Sequence, residues 1–144
     1  MEGTGDFTNK HNPVLILKNK KIKKIFCGYN TSFFLTEEGE LFGMGEGSRG
    51  NMGIGSSQNQ PSPVCIMKDN NIQYLSSGLQ HTVVLKNGGY LWGFGSSLNG
   101  ELGIAQLKIS DIPTPVMQGV MMVTCGGNFT LIYTFEGTLL ACGA

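Results

Sequence analysis

Apolar residues in this chain come in short runs cut by Gly, Asn, Asp and Pro, a pattern that predicts strands joined by turns and no long helix. Four kinds of run recur in a fixed order. One follows a proline, at 14–17, 64–67 and 116–118. A second leads into a glycine, at 22–27, 72–76 and 120–125. A third, rich in β-branched and aromatic residues, spans 32–36, 82–86 and 130–134; its apolar positions are continuous, which predicts burial on both faces. Tight turns at 37–39, 87–89 and 135–137, each ending in Gly, carry the hairpin signal. The fourth run follows them at 40–44, 90–94 and 138–142, and then comes a Gly-rich loop.

These runs belong to an internal repeat. Residues 1–55 shifted by fifty fall on 51–105 without a gap: Gly3 and Gly5 meet Gly53 and Gly55, Gly28 meets Gly78, and Gly43 and Gly45 meet Gly93 and Gly95. A third copy follows with small changes in loop length. There Val120, Gly126, Gly137, Leu139 and Gly143 repeat Ile72, Gly78, Gly89, Leu91 and Gly95. Four strands in a unit near fifty residues is the blade of a radial β-propeller. The expected architecture is all-β, an incomplete propeller of about three four-stranded blades. Its single repeat array, 1–144, divides into a part-repeat 1–21, repeats 22–71 and 72–119, and a part-repeat 120–144.

The middle copy reads LSSGLQHTVVL at 75–85, then KNGGYLWGFGSSLNGELG. It resembles the repeat of the regulator of chromosome condensation family: small residues, Gly78, His81, alternating aliphatics, a Trp92-Gly93-x-Gly95 segment and a Gly100-x-Leu102-Gly103 loop. The flanking copies are more degenerate, with Thr31 and Phe129 at the His position and Phe42 and Leu140 at the Trp position. The resemblance implies a seven-bladed ring, of which this chain holds less than half. The repeat phase begins inside a Gly-rich loop and stops after a fourth strand, so the remaining blades are expected from a longer chain or from oligomerisation.

Composition agrees with strands. Hydrophobic residues make up 40 % and charged residues 14 %, and there are 22 glycines. Disorder requires the opposite balance, and so many glycines would destabilise helices. The formal net charge is zero, which does not point to nucleic acid or a membrane surface. The first residues lack an apolar signal segment, and no apolar run reaches membrane-spanning length. The expected location is cytoplasmic or nuclear, not secreted.

Candidate chemistry is sparse. Gly45 to Gly50 spells GxGxxG, but the Gly- and Pro-rich segment after it is no Rossmann helix. Cys27, Cys65, Cys125 and Cys142 lack metal-ligand spacing. Cys27 and Cys125 share a repeat position with Ser77, which predicts equivalent small, largely buried side chains. His81 has no motif partner for catalysis and is expected to bond backbone groups between strands; Trp92 and Phe42 are expected in the core. Gly28, Gly78, Gly126, Gly45 and Gly95 are read as structural repeat positions. No catalytic residue, metal or cofactor is expected, and no enzymatic activity.

The one charge cluster is Lys18, Lys20, Lys21, Lys23 and Lys24. The same phase in the next copy is Asp69, Asn70, Asn71 and Gln73, so the fold does not require this charge. Ile22 and Ile25 within it are repeat-core positions. Lys20, Lys21, Lys23 and Lys24, with Arg49 and Glu101 in the Gly-rich loops, are the interaction candidates, in the lysines' case as an import or phosphate-contacting patch. The expected role is a protein-interaction scaffold. The family resemblance adds a second expectation, guanine-nucleotide exchange on a Ran-type small GTPase.

Overall fold

A computed structural model describes residues 5–144; the expected match of Gly3 to Gly53 lies outside them. The described residues form antiparallel sheets and no helix. Sheet A joins β1 (Ile22–Cys27), β2 (Thr31–Thr36), β3 (Glu40–Gly45) and β4 (Gln60–Lys68) in sequence order. Sheet B joins β5 (Ile72–Ser77), β6 (His81–Lys86), β7 (Tyr90–Ser96) and β8 (Ile109–Met117) in the same way. Sheet C holds β9 (Val120–Cys125), β10 (Phe129–Thr134) and β11 (Leu139–Gly143), one strand fewer than expected. β1 contacts β5 and β5 contacts β9, so the first strands of successive sheets adjoin while β4 and β8 form the outer edges.

The chain builds these meanders through local rules. Each β2–β3-type hairpin closes by a glycine N–H donating three residues back, Gly39 to Thr36, Gly89 to Lys86 and Gly137 to Thr134, at 3.0–3.2 Å. All three glycines sit at φ near +80°, where a Cβ would be strained. The outer strands start before the prolines and contain Pro61, Pro63, Pro113 and Pro115. Proline cannot donate to a ladder, and an edge strand is where that loss is harmless.

The core lies between sheets. Phe33, Leu35, Leu41 and Met52 of the first unit meet Ile72, Leu75, Val84 and Phe94 of the second. Val83, Leu85, Leu91 and Leu102 of the second meet Val120, Val123 and Ile132 of the third. Sheet B thus has a leading face packed on sheet A and a trailing face packed on sheet C; sheet A packs by its trailing face and sheet C by its leading face. Burial of the third kind of run on both faces follows, and β6 is buried from His81 through Leu85.

Three expectations fail for one reason. Residues 14–17 form no strand. Their counterparts in β4 and β8 pair with the fourth strand of the preceding unit, as in Val64 opposite Gly43, and among the described residues no sheet precedes 14–17. Ile22 and Ile25 are exposed, since they belong to a leading face with no sheet before it. Cys27 is exposed for the same reason. Its counterpart Cys125 is covered by sheet B, its N–H taking a bond to Ser76 Oγ at 2.9 Å.

Candidate interaction surface and the joints between blades

The polar residues with chemical potential are gathered at the joints. Thr82 Oγ1 donates to the carbonyl of Asn51 in the preceding unit's loop, at 3.1 Å. One repeat later Thr130 Oγ1 donates to the carbonyl of Glu101, at 2.7 Å. In sheets B and C a hydroxyl on the second strand therefore clamps the Gly-rich loop of the sheet before it. The residue after the clamped carbonyl, Met52 or Leu102, is fully buried and fills the interface. The glycine after that lets the loop lie flat: a Cβ on Gly53 would stand 2.9 Å from the Phe94 ring, and one on Gly103 would stand 3.1 Å from Cys142 Sγ.

His81 belongs to this clamp. Its ring is fully buried, and Nε2 lies 2.9 Å from Thr130 Oγ1 on the next sheet. Since that hydroxyl gives its proton to Glu101, it accepts from the imidazole, which places the proton on Nε2. Beside the backbone interaction with Phe129, the ring thus has a side-chain hydroxyl partner across a blade joint. Burial pushes the imidazole below its ordinary range, against an opposing pull from Glu101. Gly78 makes room for the ring, because a Cβ there would collide with it; Gly28 and Gly126 do the same for Thr31 and Phe129. Gly45, Gly95 and Gly143 have φ of +118°, +101° and +110° and press against the backbone of the preceding strand's start.

Glu101, an interaction candidate by sequence, is fully buried. Its carboxylate accepts from the Asn99 N–H at 2.8 Å and the Ser96 hydroxyl at 3.1 Å. Burial pushes its carboxyl up, but these bonds and the nearby His81 outweigh it and hold it below the ordinary range. Cys125 lies beside the same clamp, and burial raises its thiol to about 11.

The lysine run is exposed. Lys20 pairs with Glu40 at 2.6 Å and stands 5.5 Å over the Phe42 ring. Lys24 Nζ donates to the Gln73 carbonyl of sheet B at 2.7 Å. A pocket of about 280 Å³ opens between the run and the first hairpin, lined by Asn19, Lys20, Lys21, Glu37, Glu38 and Glu40 among others. In sheet B the cation over the equivalent ring comes from elsewhere: Lys86 stands 4.4 Å over Trp92 and pairs with Asp69. Trp92 packs against the buried cluster between sheets A and B. Arg49 is exposed at the tip of the first Gly-rich loop, far in sequence from the lysines. Among the described residues no group of three His, Cys, Asp or Glu could hold a metal ion, and no helix is long and apolar enough to cross a membrane.

The clamp was not anticipated from sequence. Its signal was a hydroxyl at the same phase in all three copies, Ser32, Thr82 and Thr130, each one residue after the His position.

Comparison with known proteins agrees with this architecture. Models of the regulator of chromosome condensation (RCC1) repeat match residues 38–85 and 88–133, and a second model of the same repeat matches 22–51. No curated protein sequence shows a significant match to the chain. Among solved structures, human WBSCR16 is 23 % identical with a TM-score of 0.74, covering 87 % of this chain and 33 % of its own. Prp20p from Saccharomyces cerevisiae is 19 % identical with a TM-score of 0.77, covering 85 % of this chain and 33 % of its own. Yeast RCC1 (Prp20) bound to Kap60 is also 19 % identical, with a TM-score of 0.75, covering 85 % of this chain and 32 % of its own. The chain therefore spans about a third of the length of the solved structures it matches. With the repeat models reaching from residue 22 to residue 133 and the blades stacked as described, this chain belongs to the regulator of chromosome condensation repeat family.

Proposed function

We propose that this chain is a non-enzymatic protein-interaction module, built on repeats 22–71 and 72–119 with flanking part-repeats, whose docking surface is the lysine-rich segment 18–24. The observation that carries it is a division of labour. His81, Glu101 and Thr130, the groups best suited to chemistry, are buried and spent on clamping blades together. The lysines are exposed, and the repeat positions of Lys20, Lys21, Lys23 and Lys24 hold Asn70, Asn71, Gln73 and Tyr74 in the next copy. Lys20 is paired with Glu40 and Lys24 with the Gln73 carbonyl; the exposed Lys18, Lys21 and Lys23 beside them suit an acidic segment of a protein partner, whose carboxylates would meet them at short range. Yeast RCC1 has been seen bound to a protein partner, Kap60. The test is fluorescence anisotropy with a labelled Asp/Glu-rich peptide against the wild-type chain and a Lys18, Lys21, Lys23→Gln variant. Binding that weakens in the variant and with added salt supports the reading. Equal binding by both proteins overturns it.

A second reading rests on Prp20p, whose structure was described with its binding to Gsp1p and histones. On this reading the chain is part of an exchange factor for a Ran-type small GTPase. Such a factor must bind the nucleotide-free GTPase better than the loaded form, because only differential affinity shifts that equilibrium. Release of a fluorescent nucleotide from the GTPase, accelerated by catalytic amounts of this chain, would favour it over the scaffold. No acceleration at stoichiometric amounts would remove it.

A further inference from the structure

We propose that Asn87 is a site of self-modification: the Gly88 backbone nitrogen displaces its side-chain amide, and the product alters the hairpin that borders the joint between sheets B and C. The sequence contains two Asn-Gly pairs, Asn87-Gly88 and Asn99-Gly100. In both, the second residue has no Cβ to hinder the approach of its nitrogen to the asparagine side chain. The structure separates them. Asn87 and Gly88 are exposed in the turn between β6 and β7. Gly88 sits there at φ +85°, and its N–H donates to no acceptor among the described residues. The turn is held on either side of that nitrogen instead, by the Gly89 N–H donating to Lys86 and the Asn87 N–H donating to Asn71. In the second pair both reacting groups are engaged. The Gly100 N–H donates to the Ser97 carbonyl at 3.0 Å, and the Asn99 side-chain amide donates to Glu101 at 3.4 Å. The Asn99 N–H is held by the same carboxylate at 2.8 Å. The equivalent turns of sheets A and C read Glu37-Glu38 and Phe135-Glu136, so the blade requires neither an asparagine nor a glycine at these two positions.

The chemistry needs only water as co-reactant. The Gly88 nitrogen loses its proton and bonds to Asn87 Cγ; the Cγ–Nδ2 bond breaks, and ammonia leaves with the proton. Water then opens the resulting cyclic imide on one side or the other. Opening at Cγ leaves an aspartyl residue. Opening at the main-chain carbonyl leaves an isoaspartyl residue, whose backbone runs through the former side chain and is one methylene longer. Either product puts a carboxylate next to Lys86, whose ammonium pairs with Asp69 and covers the Trp92 ring. The longer backbone also disturbs Gly89. Its N–H closes the turn at 3.2 Å, and its carbonyl accepts from the Val120 N–H at 3.0 Å, a bond that crosses from sheet B to sheet C. The isoaspartyl product therefore loosens that joint.

Peptide mapping by mass spectrometry tests this on the 144-residue chain, held at mildly alkaline pH for increasing times, folded and in urea. In the folded chain Asn87 should convert at least about tenfold faster than Asn99, because each hydrogen bond that must break first slows the second pair by a factor of up to about ten. In urea, which removes those bonds, the two rates should converge. Enzymatic methylation of isoaspartyl groups with labelled S-adenosylmethionine gives a second readout. Aged wild type should take up label. Asn87→Gln should lose most of it, since its longer side chain closes the imide far more slowly; far-UV circular dichroism checks that the variant is folded. Equal rates at the two sites in the folded chain, an Asn87 amide that outlasts the Asn99 amide, or undiminished labelling of Asn87→Gln would each overturn the proposal.

Discussion

Ile72 and Leu75 are 3 % and 1 % exposed, and Val120 and Val123 are 1 % and 5 % exposed; Ile22 and Ile25, at the same repeat positions, are 42 % and 78 % exposed. The three strands are alike in sequence pattern, length and pairing, and the difference lies outside them. Sheet A stands before β5, and sheet B stands before β9, but no sheet stands before β1. The trailing side shows the same contrast: Leu41 and Leu91 are buried, and Leu139 is largely exposed. In a repeat protein much of the core belongs to the joints, so the burial of these first-strand residues follows the neighbour unit, whereas Phe34 and Met44, on the same face of sheet A as Ile25, are buried without a sheet before them.

The largest effect should come from comparing equivalent positions directly. Leu75→Ala should destabilise the chain by about 3 kcal/mol, a cavity cost. Ile25→Ala should stay within about 0.5 kcal/mol when measured at concentrations where the chain is monomeric. Urea unfolding of both variants checks this, and equal losses would break the comparison.

Next is the loop that enters a joint. Gly53→Ala should cost about 2 kcal/mol or more, because Ala is strained at φ +67° and its Cβ presses on Phe94. Gly100→Ala makes the control: its φ is +83° but nothing lies within 4 Å of its Cβ, so it carries the strain without the contact and should cost less by thermal unfolding.

The clamp should come third. Thr130→Val keeps shape but leaves His81 Nε2 and the Glu101 carbonyl without their partner, for a loss of about 1–2 kcal/mol. The clamp also sets an acid limit. His81 is held below its ordinary 6.5 by burial, so its contribution is full above pH 6.5 and falls as pH drops toward its folded value. Glu101, also lowered, adds a further loss at lower pH, below its ordinary 4.5. Thermal midpoints measured from pH 8 to pH 4 should fall, and His81→Gln should flatten the upper part of that decline.

The smallest effect concerns thiols and needs no mutation. Cys27 and Cys125 share a repeat position, yet Cys27 is exposed, whereas Cys125 is covered by the sheet before it, which raises its thiol to about 11. Alkylation followed by peptide mapping should modify Cys27 well before Cys125, since the thiolate is the reactive form. Equal rates would mean that the joint between sheets B and C opens readily in solution.

Much of the fold was legible. The hairpin turns and the β2- and β3-type strands followed from residue order. The clamp was not, because the partner of Thr130 is a backbone carbonyl, Glu101, whose position no side-chain pattern announces. The lysine run was visible as charge; that Lys20 caps Phe42 while Lys86 caps Trp92 was not, since Lys20 precedes β1 whereas Lys86 ends β6.

By itself, the sequence determined where strands and turns fall and how often they recur. Those features depend on local geometry: the two-residue strand period, proline's missing donor and glycine's access to positive φ. Only the tertiary structure decided which apolar residues are covered. Ile72 and Leu75 lie three apart, which a regular strand would place on opposite faces; the register shift between Ile72 and Tyr74 returns both to one face. The strand sequence at 14–17 stays unpaired because pairing requires a partner edge, and the edges that its counterparts use belong to the unit before them.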